Sequence, residues 1–140
     1  KELKRRALRA GAFNIETRVI EEGKTIADLT NKADRLLLDV PCSGLGVLKR
    51  NPDAKWKLTQ ESINRTIDVQ HKIITEYSKT LKSGGVLVYS TCSILPIENR
   101  KQVDYFLQNK PNFELIKDKL LMPSQGFDGF YMALIKKQAD

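Results

Sequence analysis

The sequence has 140 residues, of which 41% are hydrophobic and 29% charged, so it can form one domain, or part of one, with a modest core. No stretch approaches the roughly 20 apolar residues that span a bilayer, and the charged start, KELKRR, is unlike a signal peptide. We therefore expect a cytoplasmic protein without a membrane segment. The net charge of +7 favours a polyanion, such as nucleic acid, as partner.

Cysteine and histidine are scarce. The chain has two cysteines and one histidine, which argues against a disulfide framework and cannot fill a structural zinc site. No metal site is predicted. The two thiols are therefore either small buried side chains or groups that take part in chemistry.

The first half of the chain alternates short elements. The pattern predicts a helix over residues 1–10 and a strand over 15–20. An apolar run predicts a buried strand over residues 35–40. A loop rich in Gly, Pro and Asn follows, from residue 41 to about 58.

The second half has stronger periodicity. Thr59 is a plausible N-cap for the longest helix, which Ser83-Gly84-Gly85 ends. The predicted helices and strands cover residues 60–82 (helix), 86–91 (strand), 96–108 (helix), 113–116 (strand) and 130–135 (strand). The alternation predicts an α/β open sheet with right-handed crossovers, and the last two strands are expected to form an antiparallel hairpin at its edge.

Both cysteines follow predicted buried strands. Cys42 comes just after the strand that ends at Val40, and Cys92 just after the one that ends at Thr91. In open α/β sheets, ligands bind beyond the carboxyl ends of the strands. We therefore expect both thiols to face one crevice. The helix predicted from Pro96 would also lower the pKa of a thiol near its start. Position alone leaves inert, buried cysteines equally open.

Two motifs surround these cysteines. Residues 39–46 read DVPCSGLG and residues 91–99 read TCSILPIEN. They resemble the D-x-P-C-S-G-x-G and T-C-S-x-x-x-x-E-N motifs of the Fmu/Sun (RsmB-like) family of ribosomal RNA cytosine 5-methyltransferases. The RNPDAKW stretch at 50–56 and GFDGFY at 126–131 also match, so the resemblance extends over essentially the whole chain.

The resemblance implies a class I, Rossmann-like fold and methyl transfer from S-adenosylmethionine to carbon 5 of a cytosine in RNA, expected to be small-subunit ribosomal RNA. Cys92 resembles the thiol that adds to carbon 6, which makes carbon 5 nucleophilic. Cys42 resembles the second thiol, which helps to release the enzyme from the methylated base.

Other site residues are implied less directly. Asp39 resembles an acid between cofactor and base, and Glu21 or Glu22 lies where the family places a further cofactor-binding acid. Pro41 would form a wall for the base. The alternatives are a turn-capping Asp39 and a Pro41 that only stiffens the loop. Glu98 is expected simply to help start a helix, as is Asn99.

A basic loop follows the first motif. Lys49, Arg50, Lys55 and Lys57 are expected to hold phosphates, and Trp56 to stack on an extruded base. The competing interpretation is a solvated loop with Trp56 packed into the core.

The family's Gly-rich cofactor turn and the acid of its second strand have no counterpart here. We therefore interpret residues 1–140 as part of a catalytic domain, the carboxyl-terminal half of its sheet, and expect them to bind S-adenosylmethionine weakly or not at all. A sheet lacking its first strands would also have an exposed edge.

Two other functions remain open at this point. One is a noncatalytic RNA- or ribosome-binding domain that keeps the methyltransferase fold. The other is a thiol hydrolase that pairs Cys92 with His71, which requires hydrogen-bond reach between them.

Overall fold

The computed structural model describes residues 2–21 and 23–139, and its strands form one mixed sheet. The strands are β1 (Ala33–Asp39), β2 (Leu81–Thr91), β3 (Phe113–Leu121) and β4 (Phe130–Lys137). The helices are α1 (Glu2–Arg9), α2 (Lys24–Leu29), α3 (Ala54–Lys57), α4 (Gln60–Tyr77) and α5 (Arg100–Asn109).

The strand order is β1-β2-β4-β3. β1 and β2 are parallel and are joined through α4, whereas β4 is antiparallel to both β2 and β3. The predicted α/β class and the terminal hairpin are thereby confirmed. The hairpin lies at one edge of the sheet, where β4 pairs with β2 and β3 is the outermost strand.

Two predictions in the first half are wrong. Residues 15–20 form no strand, because none of the described residues provides a neighbouring strand with which their backbone could pair. α2 was not predicted, and α3 interrupts the stretch expected to be loop throughout. The first predicted helix is present as α1, although Lys1 lies outside the described residues.

The long helix α4 begins as its sequence predicts. The Thr59 hydroxyl accepts a hydrogen bond from the Ser62 N–H at 3.1 Å, and the Ser62 hydroxyl accepts one from the Thr59 N–H at 3.0 Å. This reciprocal pair satisfies amide groups that a helix start leaves free. α4 packs beside α5, and both helices contribute to the core on the sheet, where Ile74, Phe106 and Leu87 are buried.

Among the residues that the structure describes, β1 has a neighbouring strand on one side only. Its Leu37 side chain is 68% exposed, and Arg35 is exposed as well. Strands of parallel sheets are normally covered on both faces and are rich in apolar residues for that reason. The apolar outer part of β1 is thus a surface of this structure.

Candidate active site

The site begins where β1 and β2 end. Asp39 pairs with Ser90 in the parallel ladder, and the Val40 N–H donates a hydrogen bond to the Ser90 carbonyl at 3.2 Å. Beyond these residues the strands continue into the two cysteine loops. Cys42 Sγ and Cys92 Sγ lie 3.1 Å apart. The expectation that both thiols face one place is confirmed by this contact.

Both thiols are half-buried and neither is in a disulfide. Burial, and to a smaller extent the contact with Cys92, raises the pKa of Cys42 to about 12. Cys42 therefore keeps its proton near neutral pH. The helix start expected near Cys92 is absent, because residues 96–99 form a turn and α5 begins only at Arg100.

A buried carboxylate lies beneath the two thiols. The Glu98 side chain is 0% exposed, and it accepts hydrogen bonds from the Ser43 N–H at 2.7 Å and the Ser43 hydroxyl at 2.6 Å. The Ser93 hydroxyl donates a short hydrogen bond to the same carboxylate. Ser43 directly follows Cys42, and Ser93 directly follows Cys92. The sequence pattern around Glu98 indicated only a helix start and did not predict this buried position.

Further buried polar groups hold the turn that carries Glu98. The Tyr89 hydroxyl donates to the Glu98 carbonyl at 2.8 Å, and burial raises the pKa of Tyr89 well above its usual value. The Asn99 amide group donates to the Ser93 carbonyl at 2.9 Å, and its oxygen accepts from the Thr91 hydroxyl at 2.5 Å. Glu98 thus belongs to a hydrogen-bonded network ahead of α5. Asn99 belongs to the same network and also stands at the start of α5, where its carbonyl accepts hydrogen bonds from the Gln102 and Val103 N–H groups.

A close backbone contact ties a third loop to the cysteine loops. The Gly46 N–H donates to the Cys92 carbonyl at 2.9 Å, and the Gly129 N–H donates to the Gly46 carbonyl at 2.7 Å. A Cβ atom at position 46 would lie 2.7 Å from the Cys92 carbonyl oxygen and would overlap the Gly129 carbonyl. Glycine at position 46 is required by this approach of three backbones.

Asp39 and Pro41 lie at the same rim as the thiols. The Asp39 side chain is exposed and has no hydrogen bond or ion pair within the described ranges. Pro41 is exposed, and its carbonyl accepts a hydrogen bond from the Gln70 side chain at 2.8 Å. A turn-capping role for Asp39 therefore has no hydrogen bond to support it.

Glu21 lies elsewhere. It pairs with Lys24 at 3.6 Å and lines a cavity of about 590 Å³ together with Tyr77 and Lys79, which lie at the end of α4. The Lys79 carbonyl accepts a hydrogen bond from Asn31, which precedes β1, whereas Cys42 follows the opposite end of that strand. The structure does not bring Glu21 to Asp39. Glu22, the other candidate, lies outside the described residues.

The basic loop is on the surface. Trp56 is 80% exposed, which contradicts the alternative that it packs into the core, and the Lys55 ammonium lies 4.8 Å from its ring centroid. Lys49 is also exposed, and Arg50 pairs with Asp128 at 2.8 Å. A cavity of about 670 Å³ is lined by Lys49 and Arg50 of this loop, by residues 126–128 and by Ile94, which lies two residues beyond Cys92. The loop therefore borders the thiol site.

His71 does not join the thiols. Its ring stacks on Tyr105 with centroids 4.1 Å apart, and partial burial lowers its pKa. In the part of the chain that the structure describes, no hydrogen bond links His71 to Cys92, whose thiol contacts Cys42. The arrangement required for a thiol hydrolase is therefore not formed.

Comparison with known proteins identifies the family. The model of the family "16S rRNA methyltransferase RsmB/F" matches residues 2–136. The chain belongs to this family. It is 42% identical over 112 residues to ribosomal RNA small subunit methyltransferase B of Vibrio cholerae, an alignment that covers 75% of this chain and 26% of that protein. The resemblance found in the two motifs is thereby confirmed.

Solved structures agree. The protein PH0851 superposes with a TM-score of 0.91 at 30% identity, covering 96% of this chain and 34% of that one. NSun6 from Pyrococcus horikoshii, solved with SFG, an analogue of S-adenosylmethionine, gives a TM-score of 0.84 at 29% identity, with 99% and 38% covered. The Rossmann-like fold and the cofactor class are confirmed for the family. The chain spans about a quarter of the curated relative's length and about a third of the solved ones.

Among residues 2–21 and 23–139, no helix is long and apolar enough to cross a membrane. No group of three or more His, Cys, Asp and Glu side chains in these residues is arranged to hold a metal ion.

Proposed function

We propose that this chain carries the thiol site of a methyltransferase that transfers a methyl group from S-adenosylmethionine to carbon 5 of a cytosine in small-subunit ribosomal RNA. The observation that supports this proposal is the 3.1 Å contact between Cys42 Sγ and Cys92 Sγ at the carboxyl rim of a parallel strand pair. Two thiols in contact can serve a single base. The free state of both cysteines is compatible with a reducing, cytoplasmic setting.

The first step requires a nucleophile because carbon 5 of cytosine is weakly nucleophilic. The Cys92 thiolate adds to carbon 6, the new bond is C–S, and the electron pair of the 5,6 double bond moves toward carbon 5. S-adenosylmethionine, when bound, supplies a methyl group from its positively charged sulfur. The chain's own contribution is to present the Cys92 sulfur at the rim beside Cys42.

Release reverses the addition. A base removes the proton of carbon 5, the 5,6 double bond forms again, and the bond between carbon 6 and Cys92 breaks with the electron pair on sulfur. Cys42 keeps its proton because burial raises its pKa to about 12. Its S–H group can therefore donate a hydrogen bond to the departing Cys92 thiolate 3.1 Å away.

One residue of the rim suits the cofactor. The Asp39 carboxylate is exposed, unpaired among the described residues and three positions before Cys42. It can hold a positively charged or hydroxyl-bearing cofactor beside the thiols. Glu21 lines another cavity, so we assign cofactor contact to Asp39 first and keep Glu21 as the weaker candidate.

The basic loop is assigned to RNA. Lys49 and Arg50 line the cavity that includes Ile94, and Lys55 lies farther along the same loop; these positive charges can hold phosphates, and the exposed Trp56 ring offers a surface on which a base can stack. Pro41, also exposed at the rim, is proposed as a wall for the target base.

The direct test of the function uses the complete polypeptide that contains this chain. It is incubated with small-subunit ribosomal RNA and S-adenosylmethionine labelled in the methyl group, and the RNA is digested to nucleosides. We expect label in 5-methylcytidine. Label in another nucleoside, or none in the presence of bound RNA, contradicts the proposal.

Replacing Trp56 with alanine is expected to weaken RNA binding by roughly 5- to 100-fold, because one stacked base contributes about 1–3 kcal/mol. Fluorescence anisotropy of a labelled RNA measures the effect. Trp56→Phe should retain most of the affinity, and Val69→Ala, at a partly exposed apolar residue of α4, should leave it unchanged. Thermal unfolding should not change, since Trp56 is 80% exposed. Unaltered RNA binding by Trp56→Ala would show that this ring does not contact the RNA.

We further propose that residues 1–140 form part of a larger catalytic domain, whose other strands cover the outer edge of β1. Two observations support this proposal: Leu37 of β1 is exposed, and this chain matches only about a quarter to a third of the length of its relatives. The 140-residue chain alone is then expected to bind S-adenosylmethionine with a Kd weaker than about 1 mM in isothermal calorimetry, against micromolar binding by the complete polypeptide. Micromolar binding by the chain alone contradicts the proposal.

A further inference from the structure

Glu98 is a carboxylate buried in an unusual way. It is 0% exposed, and within the described ranges its partners are hydroxyl, amide and backbone N–H groups rather than Lys or Arg side chains. A carboxylate in such a place is strongly unfavourable unless hydrogen bonds replace the lost water. Ser43 and Ser93 supply them. Retaining a carboxyl group in the core at this cost suggests a role beyond filling space.

The contacts of Glu98 are nearly symmetric. Each of its serine partners immediately follows one of the two cysteines, and the two serine hydroxyl oxygens lie 3.2 Å apart. Each hydroxyl also accepts a hydrogen bond from the N–H two residues ahead: Leu45 at 3.4 Å and Leu95 at 3.1 Å. The two loops, Cys-Ser-Gly-Leu and Cys-Ser-Ile-Leu, therefore have the same local form around one carboxylate.

The strand ladder does not reach the thiols. The register between β1 and β2 ends at Asp39 and Ser90, before either cysteine. Past that point the contacts between the two loops include the Gly46–Cys92 backbone hydrogen bond, the thiol contact and the Ser43–Ser93 hydroxyl contact, and Glu98 binds both loops. Glu98 itself is held by its carbonyl, which accepts from Tyr89 at 2.8 Å.

We propose that Glu98 is a positioning residue that holds Cys42 and Cys92 in contact by binding the serine that follows each of them. This inference rests on the proposed function for its meaning, because the contact matters if both thiols serve one base. Glu98 touches neither substrate nor cofactor in this role. It acts through Ser43 and Ser93, and its loss lets the two loops separate.

The first test measures the thiol contact without any methyl transfer. Dibromobimane becomes fluorescent when it bridges two thiols that are simultaneously within reach, and peptide mass spectrometry identifies the bridged cysteines. In the complete polypeptide, Glu98→Gln should lower the rate of bridging relative to single alkylation by about tenfold or more. The reason is that the amide keeps only one of the two acceptor oxygens that bind Ser43 and Ser93. Glu61→Gln, at an exposed α4 carboxylate paired with Arg65, is the control and should behave as wild type.

The second test uses the complete polypeptide and steady-state kinetics. Glu98→Gln should lower kcat by about tenfold or more and leave KM for RNA within twofold, since the basic loop is unchanged. Ser93→Ala removes one hydroxyl group that binds Glu98 and leaves the hydrogen bonds from Ser43 in place, so it should fold. Its kcat should fall less than that of Glu98→Gln, again with little change in KM. This variant keeps the test decisive if Glu98→Gln unfolds.

The outcomes separate the two proposals. Bridging that depends on Glu98 in a protein that forms no 5-methylcytidine would support the positioning role and overturn the proposed function. Normal bridging and normal kcat in both variants would overturn the positioning role. A fall in kcat with normal bridging would also overturn it, because Glu98 would then act directly or through another group.

Discussion

Replacing Cys92 with alanine is expected to lower the rate of methyl transfer by roughly 10⁴-fold or more, because loss of a covalent nucleophile removes the step on which the others depend. Without addition at carbon 6, carbon 5 of the cytosine remains a poor nucleophile toward the methyl group. Formation of 5-methylcytidine by the complete polypeptide measures the loss. The side chain is half-buried and its removal leaves only a small gap, so the fold should persist.

Cys92→Ser is the matched control for shape, and it should be nearly as inactive because a hydroxyl is far less ionised than a thiol. RNA affinity should remain within twofold in both variants, since phosphate contact is assigned to Lys49, Arg50 and Lys55. The same experiment distinguishes a noncatalytic RNA-binding domain, for which wild type would bind RNA without forming 5-methylcytidine. Undiminished activity of Cys92→Ala would transfer the nucleophile role to another group.

Replacing Cys42 with alanine is expected to have a different effect: covalent complexes of enzyme and RNA should accumulate while turnover falls by roughly 10²–10⁴-fold, the range of a proton-bearing catalytic group. Addition by Cys92 remains possible, but the departing thiolate loses the neighbouring S–H donor at 3.1 Å. A denaturing gel run after incubation with RNA and S-adenosylmethionine should show a slower protein band that carries the RNA.

The double variant Cys42→Ala, Cys92→Ala is the control for this experiment, and it should show no slower band because the bond to RNA forms at Cys92. Cys42→Ser should release faster than Cys42→Ala, since its hydroxyl can still donate a hydrogen bond. Free turnover by Cys42→Ala without any accumulated complex would contradict a role in release. A complex that survives in the double variant would point to a different attacking group.

Much of the fold was predictable from the sequence because its main elements have strong local patterns. The apolar run before Asp39 and the periodicity after Thr59 indicated β1 and α4, and the structure confirms both elements. The predicted end of the long helix is wrong, because α4 stops at Tyr77 and residues 81–85 already belong to β2. β3 was predicted too short, since at the sheet edge its residues beyond Ile116 are largely polar and exposed and give no apolar alternation. Residues 15–20 have the composition of a strand but no partner, and strand formation depends on pairing that a single segment cannot reveal.

The thiol contact was also predictable, from the rule that ligands gather beyond the carboxyl ends of parallel strands. The position of Glu98 was not predicted, because a Glu next to Pro96 is a common helix-start pattern. The available signal was the repeated Cys-Ser-x-Leu in residues 42–45 and 92–95. Two loops of similar sequence at the ends of neighbouring strands can bind one common hydrogen-bond acceptor through their serines. Only the tertiary structure identifies that partner as Glu98.

The insertion of β4 between β2 and β3 has a consequence for biosynthesis. Gly129, whose N–H donates a hydrogen bond to the Gly46 carbonyl, directly precedes β4, so this contact with the loop after Cys42 forms only after Gly129 has left the ribosome. A nascent chain that ends before Gly129 has both cysteines but lacks the hydrogen bond between Gly129 and Gly46, and β3 then lacks β4, the strand with which it pairs. Contacts so distant along the chain form slowly. A polypeptide truncated before Gly129 should therefore be recognised by chaperones and proteases.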